Sequence, residues 1–401
     1  MPRLQAASPL GHSVRSLGSP LRVAIVGNYP PRQCGIATFT RDVAQGLSTL
    51  GCSLAVIAMD DALGTRTYPP VVKRVVDPQS REAHGAAGTV LRDWAPDVVL
   101  VEHEFGIFGG ASGAWLLDML ARVDAPVVAT LHTVLEDPMP EQARVMRELV
   151  ERADAFIVMA DGGAAILEQQ GIDGARVHVL PHGAPDRPFE RPTDARTRIG
   201  WDDVPTLLTF GLLSPGKGIE HVIDALPRIL ETMPNARYTL LGATHPHLLA
   251  QEGERYRDGL VERAEALGVA HALTMIPRYV DEDELCDALA AADVYITPYA
   301  NPAQITSGTL AFALGLGKPV VSTPYAHARE VLPPEQLVPH GDAEALGERV
   351  ASLLADPARL EDLSRRTWRR ARDTAWPVVA ARTLDVLRST VHRGATSVAA
   401  E

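Results

Sequence analysis

Cysteine is scarce in this chain: Cys34, Cys52 and Cys286 are the only three among 401 residues. Their odd number and wide separation give neither a disulfide framework nor a metal-ligand spacing, so a reducing cytoplasm is the expected setting. No stretch approaches the roughly eighteen consecutive apolar residues of a membrane span. Residues 1–20 mix Ser, Gly, Pro and Ala without the apolar core of a signal peptide, and read as a disordered leader. Positive charge is also short, with 38 Lys and Arg against 50 Asp and Glu and a formal net charge of −12, which argues against nucleic acid as the main partner. No internal repeat is evident, and no Ser/His/Asp or Cys/His nucleophile pattern is visible.

What the chain does have is apolar side chains, 46% of the total. That suffices for a core in each of two domains, the default for this length. The run 21–27 (LRVAIVG) reads as a buried strand, followed by a loop at 28–34 and a helix from Gly35 through Leu50. Apolar runs at 54–58, 98–102, 127–131, 156–159 and 177–180 alternate with helical segments such as 114–122 and 141–152. This alternation predicts a parallel sheet covered on both faces. Residues 185–204 are polar and Pro-rich without sustained apolar periodicity, and read as an interdomain linker. A second series then follows, with strands at 206–210, 238–241, 273–276, 294–297 and 319–322 and helices including 219–230 and 282–291. The expected fold is α/β: two Rossmann-like parallel-sheet domains, residues 21–190 and 200–372, facing a cleft beyond their strand ends. A helix at 373–392, kinked at Pro377 and crossing back to the first domain, and a flexible tail at 393–401 complete the expectation.

The stretch 297–325, TPYANPAQITSGTLAFALGLGKPVVSTPY, reads as strand, polar loop, helix, Gly and second buried strand. Ser307, Gly308 and Thr309 fall where that helix begins. Unpaired N–H groups, two hydroxyls and the positive end of the helix dipole therefore converge on an anion, and Gly308 lets it approach closely. Lys217, in Phe210-Gly-Leu-Leu-Ser-Pro-Gly-Lys-Gly, falls on the lip of the same cleft and supplies the cation that a departing diphosphate requires. Taken alone, it reads equally as a solvated lysine in a turn. His132 ends a strand and is placed either to reach a bound sugar, donating to a hydroxyl, or to hold structure. His103 and Glu104 lie at another strand end before a Gly-rich loop, where Glu104 either accepts from a substrate hydroxyl or serves the loop alone. His182, in Pro181-His-Gly, is a ligand contact or loop packing. Asp281-Glu-Asp reads as a helix start, with Asp281 capping and Glu284 in capping-box position. Arg365, Arg366, Arg369, Arg370 and Arg372 surround Trp368, and the neighbouring Glu361, Asp362 and Asp373 favour a solvated helix face over contact with an anionic membrane.

In their order these segments resemble the retaining GT-B glycosyltransferases of family 4, over residues 21–390. Gln33-Cys-Gly-Ile-Ala-Thr-Phe looks like the family's Gly-rich first loop, and Val179-Leu-Pro-His-Gly like its strand-end signature. Gly211 with Lys217-Gly218, and later Gly317-Lys-Pro-Val-Val-Ser, match its donor-domain signatures. The resemblance implies a nucleotide-diphosphate sugar held mainly by the C-terminal domain and a saccharide or other hydroxyl acceptor held mainly by the N-terminal domain. It further implies transfer with retention of configuration and no metal or other cofactor. It places catalytic roles on His132, Lys217 and Gln304, and donor contacts on Gly35, His182, Gly211, Lys217, Tyr279, Gln304, Thr306, Ser307, Gly308 and Thr309. Acceptor contacts fall on His103, Glu104 and Phe105. Two departures stand out. Leu212 occupies the place of a usual second cation, and Gln304 and Phe312 occupy the places of two usual Glu residues. Gln304 can keep the first Glu's contact to sugar hydroxyls through its amide, whereas Phe312 cannot hydrogen-bond a ribose as the second usually does. The expectation is a cytoplasmic or peripherally membrane-bound hexosyltransferase using mannose or glucose. The alternatives are a sugar phosphorylase with the same cleft, or a degenerate glycan-binding or scaffold protein.

Overall fold

The computed structural model describes residues 19–398. Of the leader expected at 1–20, all but the last two residues lie outside the described residues. In the N-terminal half, β1 (Arg22–Gly27), β2 (Ser53–Met59), β3 (Val72–Val76), β4 (Val98–His103), β5 (Val127–Leu131), β6 (Ala155–Val158) and β7 (Val177–Val179) form one parallel sheet, ordered β3-β2-β1-β4-β5-β6-β7. Helices α1 (Gly35–Thr49), α2 (Arg81–Trp94), α3 (Trp115–Leu120), α4 (Pro140–Arg152) and α5 (Asp161–Gln169) run between these strands.

After α6 (Pro192–Ile199), the second half alternates β8 (Thr206–Phe210), α7 (Ile219–Thr232), β9 (Arg237–Leu241), α8 (Pro246–Glu252), α9 (Arg255–Ala266) and β10 (Leu273–Ile276). Then come α10 (Glu282–Ala291), β11 (Val294–Thr297), α11 (Gly308–Gly315), β12 (Val320–Ser322), α12 (Ala326–Val331), α13 (Ala343–Leu354), α14 (Pro357–Arg370) and α15 (Trp376–Val398). The second sheet is also parallel, ordered β10-β9-β8-β11-β12.

The central strands read as unbroken apolar runs because both sheet faces are covered. Along β1 and β4, Val23, Ile25, Val98 and Leu100 enter one core while Ala24, Val26, Val99 and Val101 enter the other. Side-chain caps start several helices: the Cys34 thiol accepts from Ala37 N–H at α1, and the Asp281 carboxylate from Glu284 N–H at α10. Lys318, fully buried after α11, donates to the Ala290 and Ala292 carbonyls at the end of α10. Burial pulls its ammonium down to about 8 against the opposing attraction of Asp293. Strand order reverses beside the first strand of each sheet, at β1/β4 and at β8/β11. Such reversals open a crevice at the carboxyl ends of the strands, where ligands bind in folds of this kind.

Three expectations are corrected. Residues 185–204 are not linker throughout, because α6 lies within them. It packs Ala195 against Ala290 and Ala291 and is pinned by Arg196, which is buried and bonded to Asp203, Asp293 and the Ala291 carbonyl. An eight-residue helix held by ion pairs leaves no apolar stripe to read. Pro377 does not kink the last helix. It is the second residue of α15, where a missing N–H costs nothing, and a separate short turn at Ala371–Thr374 precedes it. Residues 393–398, expected in the tail, continue α15, and 399–401 lie outside the described residues. In addition, the edge strand β3 and helix α2 were not assigned from sequence.

Helix α15 packs on the N-terminal domain, not on the C-terminal domain that precedes it. Trp376, Val379, Leu384 and Leu387 share a core with Val23, Ile25 and Leu47. Each contributes roughly 1.5–3 kcal/mol of apolar burial, an upper estimate. Gly46 of α1 lets the two helices touch, since a Cβ there would lie 2.3 Å from that of Ala380. The chain therefore crosses between domains twice. The two crossings are tied by Ala184 N–H to Thr374 O at 2.8 Å and Trp376 N–H to Ala184 O at 3.0 Å.

Candidate active site

A cleft of about 880 Å³ lies between the two sheets, lined from both domains by the loops that follow β1, β4, β5, β8, β9 and β11. On the C-terminal wall, Ser307 caps α11, its Oγ accepting from Leu310 N–H at 3.3 Å while its own N–H is held by His327 Nδ1 at 2.9 Å. The N–H groups of Gly308 and Thr309 are left at the open end of the helix. Lys217, in the turn between β8 and α7, places Nζ 3.0 Å from Tyr299 Oη and 4.2 Å from the centre of that ring. Tyr299 Oη is 2.7 Å from Thr309 Oγ1, which is 3.2 Å from Ser307 Oγ. An ammonium, three hydroxyls and a helix start thus form one connected set. Burial pushes the Tyr299 phenol up, but the Lys217 charge and its hydrogen bonds pull harder and leave it below its ordinary value.

Gly308 is needed for more than close approach. A Cβ there would lie 2.8 Å from His182 Nε2, so the His182 ring sits directly against the start of α11. Burial lowers the His182 ring to about 4, leaving it neutral, and Nδ1 bonds the Gly183 carbonyl at 2.7 Å. Gly211 has φ +128°, and a Cβ on Gly242 would lie 2.0 Å from its carbonyl oxygen, so the loops after β8 and β9 meet backbone to backbone. Gln304 lines the cleft while its amide donates to Thr306 O at 2.7 Å. Phe312 forms an apolar patch beside Phe210 and His182.

The N-terminal wall is built by β4, β5 and α1. His132 Nε2 is 2.9 Å from Glu102 Oε2, and its ring meets the Phe39 edge at 4.8 Å; Phe39 also touches His182 and Trp376. Glu104 lines the cleft and accepts from Thr133 Oγ1 at 2.5 Å and from Phe105 N–H at 2.9 Å.

His103 and Phe105 do not line the cleft, which corrects their expected acceptor role. Side chains alternate along β4, so His103 turns into the opposite core, fully buried beside Phe105 and Phe108, and burial lowers it to about 4. The same alternation brings Glu102, passed over by sequence reasoning, beneath the site. Tyr299 was passed over too, although Thr297-Pro-Tyr directly follows the β11 strand pattern.

Two bridges span the cleft at its edge. Thr38 Oγ1 is 3.2 Å from Tyr279 Oη, and Arg41 pairs with both Asp42 and Glu282. On another side, Glu330 of α12 accepts from the Asp161 N–H at the start of α5, at 2.8 Å. Burial and the nearby Glu282 raise the Asp42 carboxyl to about 7, against the pull of Arg41.

Residues 34–186 match the model of Glycosyltransferase Family 4, and residues 204–356 that of Glycosyl transferases group 1. The chain belongs to the family 4 glycosyltransferases. Among its relatives, this glycosyltransferase is 28% identical over 303 residues to the D-inositol 3-phosphate glycosyltransferase of Kineococcus radiotolerans, 68% of each chain. It is 27% identical over 271 residues to the GDP-mannose-dependent alpha-(1-6)-phosphatidylinositol monomannoside mannosyltransferase of Mycolicibacterium smegmatis, 63% of this chain and 67% of that one. The matches span about two thirds of the curated relatives' length, 64% to 68% for the inositol phosphate enzymes. Among solved structures, Anabaena Alr3699/HepE in complex with UDP and glucose superposes with a TM-score of 0.73 at 14% identity, over 92% of this chain and all of that one. WaaG, a glycosyltransferase involved in lipopolysaccharide biosynthesis, gives 0.66 at 17% identity, over 91% and 99%. The fold of the glycosyltransferase is thus GT-B.

The Asp281-Glu-Asp run of this glycosyltransferase is fully engaged. Asp281 caps α10, Glu282 binds Arg41 and Asp283 pairs with Arg187. Glu284 does not close the expected capping box, because its carboxylate turns to Arg278. Among the described residues no group of three or more His, Cys, Asp or Glu is arranged to hold a metal. Trp368 donates to the Arg187 carbonyl at 3.0 Å beneath Arg372, while Arg365 and Arg366 pair with Glu361 and Asp362. The half-buried aromatic is thus engaged with the fold. Among the described residues no helix is long and apolar enough to cross one.

Proposed function

We propose that this glycosyltransferase moves a hexose, mannose or glucose, from a nucleoside-diphosphate sugar to a hydroxyl of a saccharide or polyol, with retention of anomeric configuration. The observation that carries the reading is the connected set of Lys217, Tyr299, Thr309 and Ser307 around the open start of α11, within a cleft shared by two domains. A leaving diphosphate develops negative charge where these donors converge, and fixed donors in a partly dry cleft stabilise it without reorganising. His132, on the facing wall, orients the sugar. Retention then follows from front-face substitution, in which the departing phosphate oxygen takes the proton of the incoming hydroxyl as the glycosidic bond forms on the same face. Gln304 contacts the donor sugar from beside the phosphate set.

Thermal unfolding with GDP, UDP, ADP, TDP and inorganic phosphate tests this reading. A ligand at about 100 times its Kd stabilises by roughly 2.7 kcal/mol. Stabilisation by one nucleoside diphosphate, followed by sugar transfer from the matching donor, is the expected result, and the mannosyltransferase relatives make GDP the first to try. Phe312, apolar beside the phosphate set, favours a second reading in which inorganic phosphate takes the place of the diphosphate. Stabilisation by phosphate alone, with phosphorolysis of a disaccharide, would replace the first reading by that one.

A further inference from the structure

We infer that Glu102 is a positioning residue for glycosyl transfer. It holds His132 in the tautomer protonated on Nε2, so that Nδ1 faces the cleft as an acceptor for a substrate hydroxyl. The consequence for turnover rests on the transferase reading above, whereas the geometry does not.

Glu102 lies in the last turn of pleat of β4 with no exposed surface. A carboxylate there is costly unless it is hydrogen-bonded, and His132 Nε2 stands 2.9 Å from its Oε2. Its other oxygen is 3.5 Å from Thr130 Oγ1. The parallel register sets Glu102 beside Thr130, so His132, two residues further on, falls on the same face just past the end of β5. Room for the carboxylate comes from Gly27 of β1, where a Cβ would lie 2.9 Å from that of Glu102. Phe39 closes the remaining side of the imidazole. A carboxylate only accepts, so the ring nitrogen facing it must donate, and in the neutral ring Nδ1 keeps its lone pair. Among the described residues Nδ1 has no hydrogen-bond partner, the side chain is 10% exposed, and His132 lines the cleft. With Nε2 donating to Glu102, the singly protonated ring accepts a hydrogen bond at Nδ1 from a substrate hydroxyl, the reverse of the donation expected from the sequence. A glutamate whose sole duty was to anchor β5 would leave this nitrogen's protonation unaffected.

Long-range ¹⁵N–¹H correlation spectra of the histidine-labelled protein test the inference without any substrate, with His132 identified by comparison with His132→Asn. The expected wild-type signature is protonation on Nε2. In Glu102→Leu that preference is lost, and kcat falls about 10- to 100-fold while the donor KM stays within about threefold, as for loss of one charge-assisted hydrogen bond. Glu102→Gln keeps an acceptor oxygen and recovers part of the rate. A wild-type His132 protonated on Nδ1 overturns the inference, as does unchanged turnover in both variants. Should Glu102→Leu fail to fold, the wild-type spectrum and Glu102→Gln decide. An enzyme inactive with every donor but showing the Nε2–H signature would remove the transferase reading and leave the dyad standing.

Discussion

On the C-terminal wall of the cleft, the loops beyond β8 and β11 present Lys217, Tyr299 and the start of α11, all of them hydrogen-bond donors. On the N-terminal wall, the segments beyond β1, β4 and β5, helix α1 included, present Arg32, Arg41, Asp42, Glu104 and His132, with Glu102 beneath. The two sheets share the same reversal of strand order, yet one wall gathers an ammonium, three hydroxyls and a helix start into one donor set, and the other sets Glu104 and His132 beside an Arg41 already paired to Asp42 and Glu282. Topology therefore decides where a ligand lies, and the side chains at the strand ends decide which half of it faces which wall. In the proposed reaction it is the donor set of the C-terminal wall that would receive the diphosphate.

Lys217→Ala should break the asymmetry most. Turnover should fall about 100- to 1,000-fold with little change in unfolding temperature, since one fixed donor to the developing charge is lost. Initial rates within threefold of wild type would mean that the phosphate lies elsewhere. His132→Ala acts on the other wall and should lower kcat about 10- to 100-fold while calorimetric nucleotide affinity holds. An equal loss of affinity would make the ring a structural element only. Gly308→Ala forces a Cβ against His182, a side chain of the first domain seated on the start of α11. Nucleotide affinity should weaken about tenfold, matching 1–2 kcal/mol of overpacking. Unchanged affinity would show that the ring yields freely.

The smallest effect is expected at Asp42, where the two walls meet. A carboxyl raised on folding stabilises the fold fully below its unfolded value of about 4 and loses that contribution as pH rises to about 7. Asp42→Asn should flatten this part of the stability profile and exceed wild type by roughly 1–2 kcal/mol at pH 8, measured by urea unfolding. An unaltered pH slope would mean that Arg41 keeps Asp42 ionised throughout.

Most of the fold was legible because buried parallel strands are contiguous apolar runs, and because Ser307-Gly308-Thr309 announces its helix start locally. Legibility failed where the information is not local. Whether Glu102, His103 or Glu104 faces the cleft depends on where β4 ends and on its pleat, and an error of one residue exchanges cleft for core. Helix α6 is held by Arg196 and Asp293, 97 residues apart. The Arg41–Glu282 and Thr38–Tyr279 bridges join residues 241 apart, which no periodicity can pair.

Because α15 completes the core beneath β1, the first domain cannot finish folding when its own strands have been made. During synthesis at about 5–20 residues per second, the apolar side chains of α1 and β4 that α15 packs against lack that cover while some two hundred further residues are added. Helix α15, made after the whole second domain, supplies it. The nascent chain thus carries a partly covered apolar surface for ten seconds or more at these rates, and a premature stop near residue 370 would leave it without the cover of α15.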